Sequence, residues 1–196
     1  LFGVNLVFCS VCALIVLFVP MLIVAVAVRL DSKGSAIYKH KRRGQNGKII
    51  YVYKFRSMVT NAEELIKSFT PEQKEEWEKN FKLDHDPRIT KVGRFLRKTS
   101  LDELPQLLNI IKGDISIVGP RPIIDDELEK YGPYKDKLLS VPPGLTGYWQ
   151  AYARSECTYE ERMRMELYYI DNANFWWDIK IIFATIGPVL RGIGSK

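Results

Sequence analysis

The sequence predicts an α+β protein: one apolar helix, then a small, mostly helical domain that carries a β-hairpin. Three observations lead there. Leu1 to Val28 contains no charged residue, which is membrane-helix composition. Ala36–His40 and Lys48–Phe55 are rich in β-branched and aromatic residues and flank Asn46-Gly47, a hairpin signal. In the rest of the chain apolar residues recur largely at three- and four-residue steps, the helical period.

The chain has 196 residues, a net charge of +6 and 46% hydrophobic residues, the apolar excess lying at the front. This suits two parts: a membrane anchor over residues 1–29 and one compact domain over 30–196, whose chemistry the motifs below address. The apolar run has no basic front region and no small-residue cleavage site, so it does not read as a signal peptide. The sequence opens on Leu1, and we expect the native N-terminus to have been trimmed. Pro20 removes one helix hydrogen bond. Either a kinked helix spans the bilayer, or the chain turns back at Pro20 and leaves by the leaflet it entered. Arg29, Lys33, Lys39, Lys41, Arg42, Arg43 and Lys48 follow at once. The positive-inside rule puts this side in the cytoplasm, and the same cations suit anionic head groups.

Composition also excludes functions. Tyr and Trp are not interleaved with the basic residues as a nucleic-acid stacking platform requires. Three cysteines make no disulfide framework, and Cys9-x-x-Cys12 lies at helical spacing inside the apolar run. With only His40 and His85, a Cys/His zinc site has little material.

Along the domain, Arg43 to Gly47 turns the hairpin. Gly44-x-x-Gly47-Lys48 has the wrong spacing for a phosphate loop and leads into a strand. Asn61 to Lys82 is charged and helical, restarting at Thr70-Pro71-Glu72-Gln73 with Pro at the first helical position. Asp84-His85-Asp86 has the Asp-x-Asp form of a metal chelator. The βαβαβ rhythm that accompanies such a site is missing, and Asp86-Pro87 suits a turn.

The centre of the domain is Arg97 to Asn109. Leu101, Leu104, Leu107, Leu108 and Ile111 give an amphipathic helix that Asp102 and Glu103 open. Ser100-x-x-Glu103 has capping-box form, and Asp102 could itself be the N-cap with Pro105 in the first turn. Against capping alone stands the company: Arg88, Lys91, Arg94, Arg97 and Lys98 lead into a helix start, where anions are favoured. Lys112-Gly113-Asp114 closes the helix with a glycine cap. Ile115–Val118 is a short apolar run, and Gly119-Pro120-Arg121-Pro122 holds an arginine at a nearly fixed backbone angle. Asp125 to Leu139 reads as one helix or two, broken near Gly132-Pro133. Pro142 to Gly147 reads as a turn and Tyr159 to Asn172 as a helix. Phe175 begins a last apolar helix containing Pro188, either interfacial or buried in the core.

Four motifs in order resemble the bacterial sugar transferases, the monotopic phosphoglycosyl transferases that start surface-glycan assembly. They are Lys54-Phe55-Arg56-Ser57-Met58, Asp86-Pro87-Arg88-Ile89-Thr90, Ser100 to Gln106, and Lys112 to Pro122. The resemblance runs over nearly the whole chain, through Pro143-Gly144-Leu145-Thr146-Gly147 and Gln150-x-x-x-Arg154 to Trp177-Asp178. Two positions depart from the family. Its Gln-x-Arg-x-Gly is here His40-Lys41-Arg42-Arg43-Gly44, and its Asp-x-x-Tyr is Glu166-Leu167-Tyr168-Tyr169.

The resemblance implies a re-entrant anchor broken near Pro20 in the bacterial inner membrane, with the catalytic domain and interfacial helices on the cytoplasmic face. It implies transfer of a sugar-1-phosphate from a UDP-sugar, UDP-glucose or UDP-galactose by similarity, to undecaprenyl phosphate. UMP leaves, and an aspartyl–phosphosugar on Asp102 is the intermediate. Mg²⁺ is the implied cofactor, with Glu103 and Asp102 as ligands and Glu103 also able to handle a proton. Arg121, Arg97, Lys54, Arg56, Arg88 and Arg154 are the phosphate-clamp candidates. The expected partners are the UDP-sugar, the polyprenyl phosphate and membrane lipids, with no nucleic acid. The sequence leaves a homo-oligomer open. Two other classes are weighed beside this one: a Mg²⁺ phosphohydrolase with water as acceptor, and a non-catalytic binder of anionic lipid.

Overall fold

The first element is a single helix, α1 (Phe2–Asp31), with Pro20 inside it. A computed structural model describes residues 2–80, 83, 85–153 and 157–190. Ser10–Asp31 is long and apolar enough to cross a membrane by length and composition. Its side chains are largely exposed: Ile15, Val16, Phe18, Val19, Leu22 and Ile23 face outward. Such a surface is stable only against lipid or another protein.

The hairpin forms where the alternation places it. Strand β1 (Ile37–Arg43) pairs antiparallel with β2 (Ile49–Phe55) in the register His40↔Val52. Between them Asn46 and Gly47 take positive φ, 55° and 74°, the backbone that Asn and Gly tolerate best. Helices α2 (Ala62–Lys67) and α3 (Pro71–Asn80) follow. Helix α3 starts at Pro71, as the restart motif predicts, and there Gln73 N donates to Thr70 Oγ1 and Thr70 N to Gln73 Oε1.

The central helix is not one helix. Helix α4 (Lys91–Thr99) ends at Ser100, which is left-handed at φ 56°. A 3-10 turn (Leu101–Gln106) and the short α5 (Leu107–Ile111) follow. Ser100 makes no side-chain cap, so the expected capping box is absent. Its left-handed backbone carries the chain away from the helical N-cap geometry that a box needs. Gly113, at φ 73°, closes α5 as predicted, with Asp114 N donating to Asn109 O.

Strand β3 (Ser116–Val118) pairs in parallel with β4 (Gly144–Thr146), a stretch that reads as a turn in the sequence. The two strands enclose α6 (Asp125–Lys130) and α7 (Lys135–Leu139), broken at Gly132-Pro133 as expected. The chain continues through α8 (Tyr148–Tyr152), α9 (Tyr159–Asn172) and α10 (Phe175–Leu190). Ile181 of α10 is fully buried against Val118, Ala151 and Tyr169. Trp176 and Phe183 on the same helix are 72% and 68% exposed. The last helix is therefore core on one side and open and aromatic on the other.

Four small apolar clusters hold the parts together. One joins Val28 of α1, Phe55 of β2 and Leu96 of α4. A second joins the hairpin, through Ile50 and Val52, to Ile110 and Ile115. The remaining two lie under α9 and α10.

Candidate active site

The site begins with a close backbone approach. A Cβ on Gly93 would stand 2.0 Å from the Ser57 carbonyl oxygen, so only glycine lets α4 lie against this segment. Across that contact Arg97 Nε donates to Ser57 Oγ at 2.9 Å. One turn later the 3-10 segment presents Asp102, which is 9% exposed. Burial pushes its carboxyl up to about 6. Lys54 and Arg97 pull it down and Glu103 adds to the rise. Burial lowers the Arg97 pKa, and Asp102 and Asp86 oppose that shift. Glu103 is more exposed and accepts from Lys54 Nζ, the same ammonium that acts on Asp102. Two neighbouring carboxylates thus sit in different environments, as their angular separation predicts.

Asn109 sets the distance between these carboxylates and the hairpin. It is wholly buried, accepts from Tyr53 N at 2.9 Å and donates to Tyr51 O at 2.7 Å. The amide side chain continues the ladder of β2 and so fixes α5 to the strand that carries Lys54. Sequence reasoning gave Asn109 no role.

The second half of the site is the turn around Arg121. Gly119 N donates to Thr146 O and Gly144 N to Pro120 O, at 2.9 and 2.8 Å. A Cβ on Gly144 would stand 2.1 Å from Gly119 N, so the two backbones cross at a point where side chains cannot fit. The Arg121 backbone N donates to Glu166 Oε1 at 3.0 Å. Glu166 is 1% exposed, also accepts from Tyr131 OH, and lies 3.5 Å from Arg162 Nε. Arg162 in turn lies over the rings of Trp149 and Tyr159 at 5.0 and 5.3 Å. Glu166 is therefore a structural anchor of the turn, and its added methylene is absorbed by this polar interior. Arg121 Nε is buried and, among the described residues, has no hydrogen-bond partner. A buried unpaired guanidinium donor is costly and favours an anion beside it.

The hairpin connects the halves. Arg43 N donates to Ile123 O at 2.8 Å, and its side chain to Asp125. Burial, and next the charge of Arg121, lower the Arg42 pKa to about 10, against the opposing charge of Glu127. His40 feels both Lys54 and Arg121. The hairpin alternation could have shown His40 and Arg42 facing inward.

Two of the expected phosphate ligands stand elsewhere. Arg56 is spent on the end of α1: its guanidinium donates to the carbonyls of Val28, Ser32 and Lys33. These carbonyls lie in and just past the last turn of α1, where Val28 O also accepts from Ser32 N, and Arg56 ties off that end of the helix. Arg88 is buried in a two-pronged pair with Asp86, at 2.8 and 2.6 Å, and lies 4.4 Å from the Trp77 ring. It fixes the turn and holds α3, and Asp86 accepts from Arg88 N as well, the turn role that Asp86-Pro87 suits. Arg154 lies outside the described residues, as does Asp84. Asp102, Glu103, Lys54 and Arg97 come together, and Arg121 acts together with Lys54 on His40 of the hairpin. Among the described residues no three His, Cys, Asp or Glu side chains cluster as a metal cage.

The bacterial sugar transferase family profile matches residues 4–192. The chain is 49% identical over 190 residues to the undecaprenyl-phosphate galactose phosphotransferase of Salmonella typhimurium, covering 95% of this chain and 40% of that protein. It is 43% identical over 185 residues to the exopolysaccharide production protein ExoY of Rhizobium meliloti, covering 92% and 82%. With the UDP-glucose:undecaprenyl-phosphate glucose-1-phosphate transferase of Escherichia coli it shares 38% over 182 residues, covering 88% and 36%. The chain spans about two-fifths of the length of the Salmonella protein and other relatives of that size. A profile match over nearly the whole chain, together with these relatives, settles the family: the chain belongs to the bacterial sugar transferases.

Proposed function

We propose that this chain transfers a sugar-1-phosphate from a UDP-sugar to undecaprenyl phosphate and releases UMP, as a first step of surface-glycan assembly. The observation that carries the reading is Asp102, a buried carboxyl at the head of a 3-10 turn with Lys54 and Arg97 acting on it. Such a group is ionised at neutral pH and poorly solvated, which suits a nucleophile. The names of the relatives, galactose and glucose phosphotransferases among them, support the substrate class and UDP-glucose or UDP-galactose as donor.

In the first step an Asp102 oxygen attacks the β-phosphorus of the donor. The bond from that phosphorus to the bridging oxygen breaks, and UMP leaves with the electron pair. In the second, a phosphate oxygen of the polyprenyl phosphate attacks the same phosphorus and Asp102 departs as carboxylate. Lys54, Arg97 and Arg121 offset the negative charge that gathers in both steps. Mg²⁺ takes one or two carboxylates plus substrate phosphates, and the adjacent Glu103 and Asp102 fit that donor set without a third protein ligand. When bound, the ion supplies divalent charge against the diphosphate. The exposed apolar surface of α1 and the aromatic side of α10 suit an acceptor that lives in lipid. We place the domain on the cytoplasmic face, with α1 turning back at Pro20, where one backbone hydrogen bond is already lost.

Intact-mass analysis tests the reading. Wild-type protein given UDP-galactose or UDP-glucose without acceptor should gain one hexose phosphate, and peptide mapping should put it on Asp102. Asp102→Asn should gain nothing and release no UMP. Turnover by Asp102→Asn would overturn the mechanism.

A further inference from the structure

The inner side of the hairpin carries a residue that the two steps above do not use. Register pairs Tyr38 with Lys54, His40 with Val52 and Arg42 with Ile50. Paired residues share a face of the sheet. Ile50 and Val52 are buried, so His40, Arg42 and Lys54 lie on the core side in one row. His40 is half-buried and its ring stands 5.5 Å from that of Tyr38.

The tautomer of His40 follows from its neighbour. Arg42 Nη2 lies 3.2 Å from His40 Nδ1. A guanidinium donates and cannot accept, so Nδ1 accepts and the neutral ring carries its proton on Nε2. Burial, then the charges of Arg42, Lys54 and Arg121, hold the His40 pKa at about 4. The ring is therefore neutral at physiological pH, and Nε2–H has no acceptor among the described residues. A neutral donor among three cations, two of them assigned above to phosphate, is chemically matched to an anionic oxygen.

We propose that His40 contacts the nucleotide donor: its Nε2–H donates to an oxygen of the diphosphate lying between Lys54 and Arg121, and Arg42 sets the tautomer that makes this donation available. The inference rests on the transferase reading above. Polyprenyl phosphate offers similar oxygens, and measuring the two substrates separately distinguishes the sources.

The test uses the full chain in lipid nanodiscs. His40→Phe keeps a ring but loses the donor. It should raise KM for the UDP-sugar about 10- to 100-fold, the range for a hydrogen bond to a charged group. KM for undecaprenyl phosphate should stay unchanged. His40→Gln, which retains an N–H at similar reach, should recover KM to within a few-fold of wild type. An unchanged donor KM in His40→Phe, a rise confined to the lipid substrate, or no recovery in His40→Gln would overturn the proposal. A binding arm stands apart from turnover. The chain has two histidines, so ¹⁵N-histidine spectra with His85→Gln isolate His40. Adding UDP should shift the Nε2 resonance; an unmoved resonance in saturating UDP sinks the contact. Absence of UMP release by wild type on every UDP-sugar would instead count against the transferase reading, and the UDP titration would still decide His40.

Discussion

Asp102→Asn should make the protein more stable while it abolishes turnover. The folded state raises the Asp102 carboxyl from its ordinary value near 3.8 to about 6, chiefly by burial. At about 1.4 kcal/mol for each tenfold change in proton affinity, that is roughly 3 kcal/mol of opposition to ionising this group in the fold. The sign is that of a raised acid. The proton is held more tightly folded than unfolded, so the contribution to stability is full below about 3.8 and lost as pH rises through 6. At pH 7 wild type therefore bears the whole cost, and an amide of the same shape does not. For a chain of this size 1 kcal/mol moves Tm by about 2–4 °C, so Asp102→Asn should melt on the order of 6–12 °C higher at pH 7. The advantage should shrink between pH 6 and pH 4. Differential scanning fluorimetry in nanodiscs across that range reads both effects. A variant no more stable than wild type at pH 7, or a gain that ignores pH, would refute the reasoning.

Other outcomes follow from the same geometry. If ionised Asp102 is the nucleophile, kcat/KM for the donor should fall about tenfold per pH unit below about 6, seen in a profile of UMP release. Glu166→Gln weakens the acceptor of Arg121 N and Tyr131 OH and takes one of two carboxylates from Arg162, which keeps Glu127 at 3.3 Å, at a cost of about 1–3 kcal/mol; a Tm equal to that of wild type would contradict this. Arg56→Ala should lower stability by about 3 kcal/mol through uncapped carbonyls at the end of α1. Its KM for UDP-sugar should stay within about twofold, and a large rise would return Arg56 to the phosphate clamp.

The parts of the fold that local chemistry decides were readable in advance. Asn46-Gly47 and the alternation around it gave the hairpin. Helix α9 is capped by Thr158, which forms a true capping box with Glu161, a pattern as plain in sequence as Ser100-x-x-Glu103. The same pattern failed at Ser100 because the left-handed turn there is set by the packing of α4 on Ser57, forty-odd residues away. Strand β4 was hidden for a related reason. Three residues in a Pro/Gly-rich stretch become a strand only because Gly119 and Gly144 can approach closely. Within the site, residue type pointed to Asp102, Glu103, Lys54, Arg97 and Arg121. It could not say that Arg56 and Arg88 serve carbonyls and a carboxylate, since a guanidinium looks the same in sequence whatever it faces. Asn109 and Glu166 act through burial, which no motif announces.

The capping of α1 by Arg56 has a mechanical consequence. Arg56 lies two residues beyond Lys54, which holds Glu103, so the end of α1 and the Asp102-Glu103 segment belong to one stiff body. No slack hinge lets the domain rise or sink independently. With α1 turning back at Pro20 as proposed, the depth to which it inserts would set the height of Asp102 above the hydrocarbon, and acyl-chain length would become a control on turnover. Thin and thick bilayers should give different rates with the same soluble donor affinity, because mismatch displaces the lipid phosphate relative to a carboxylate that cannot follow it.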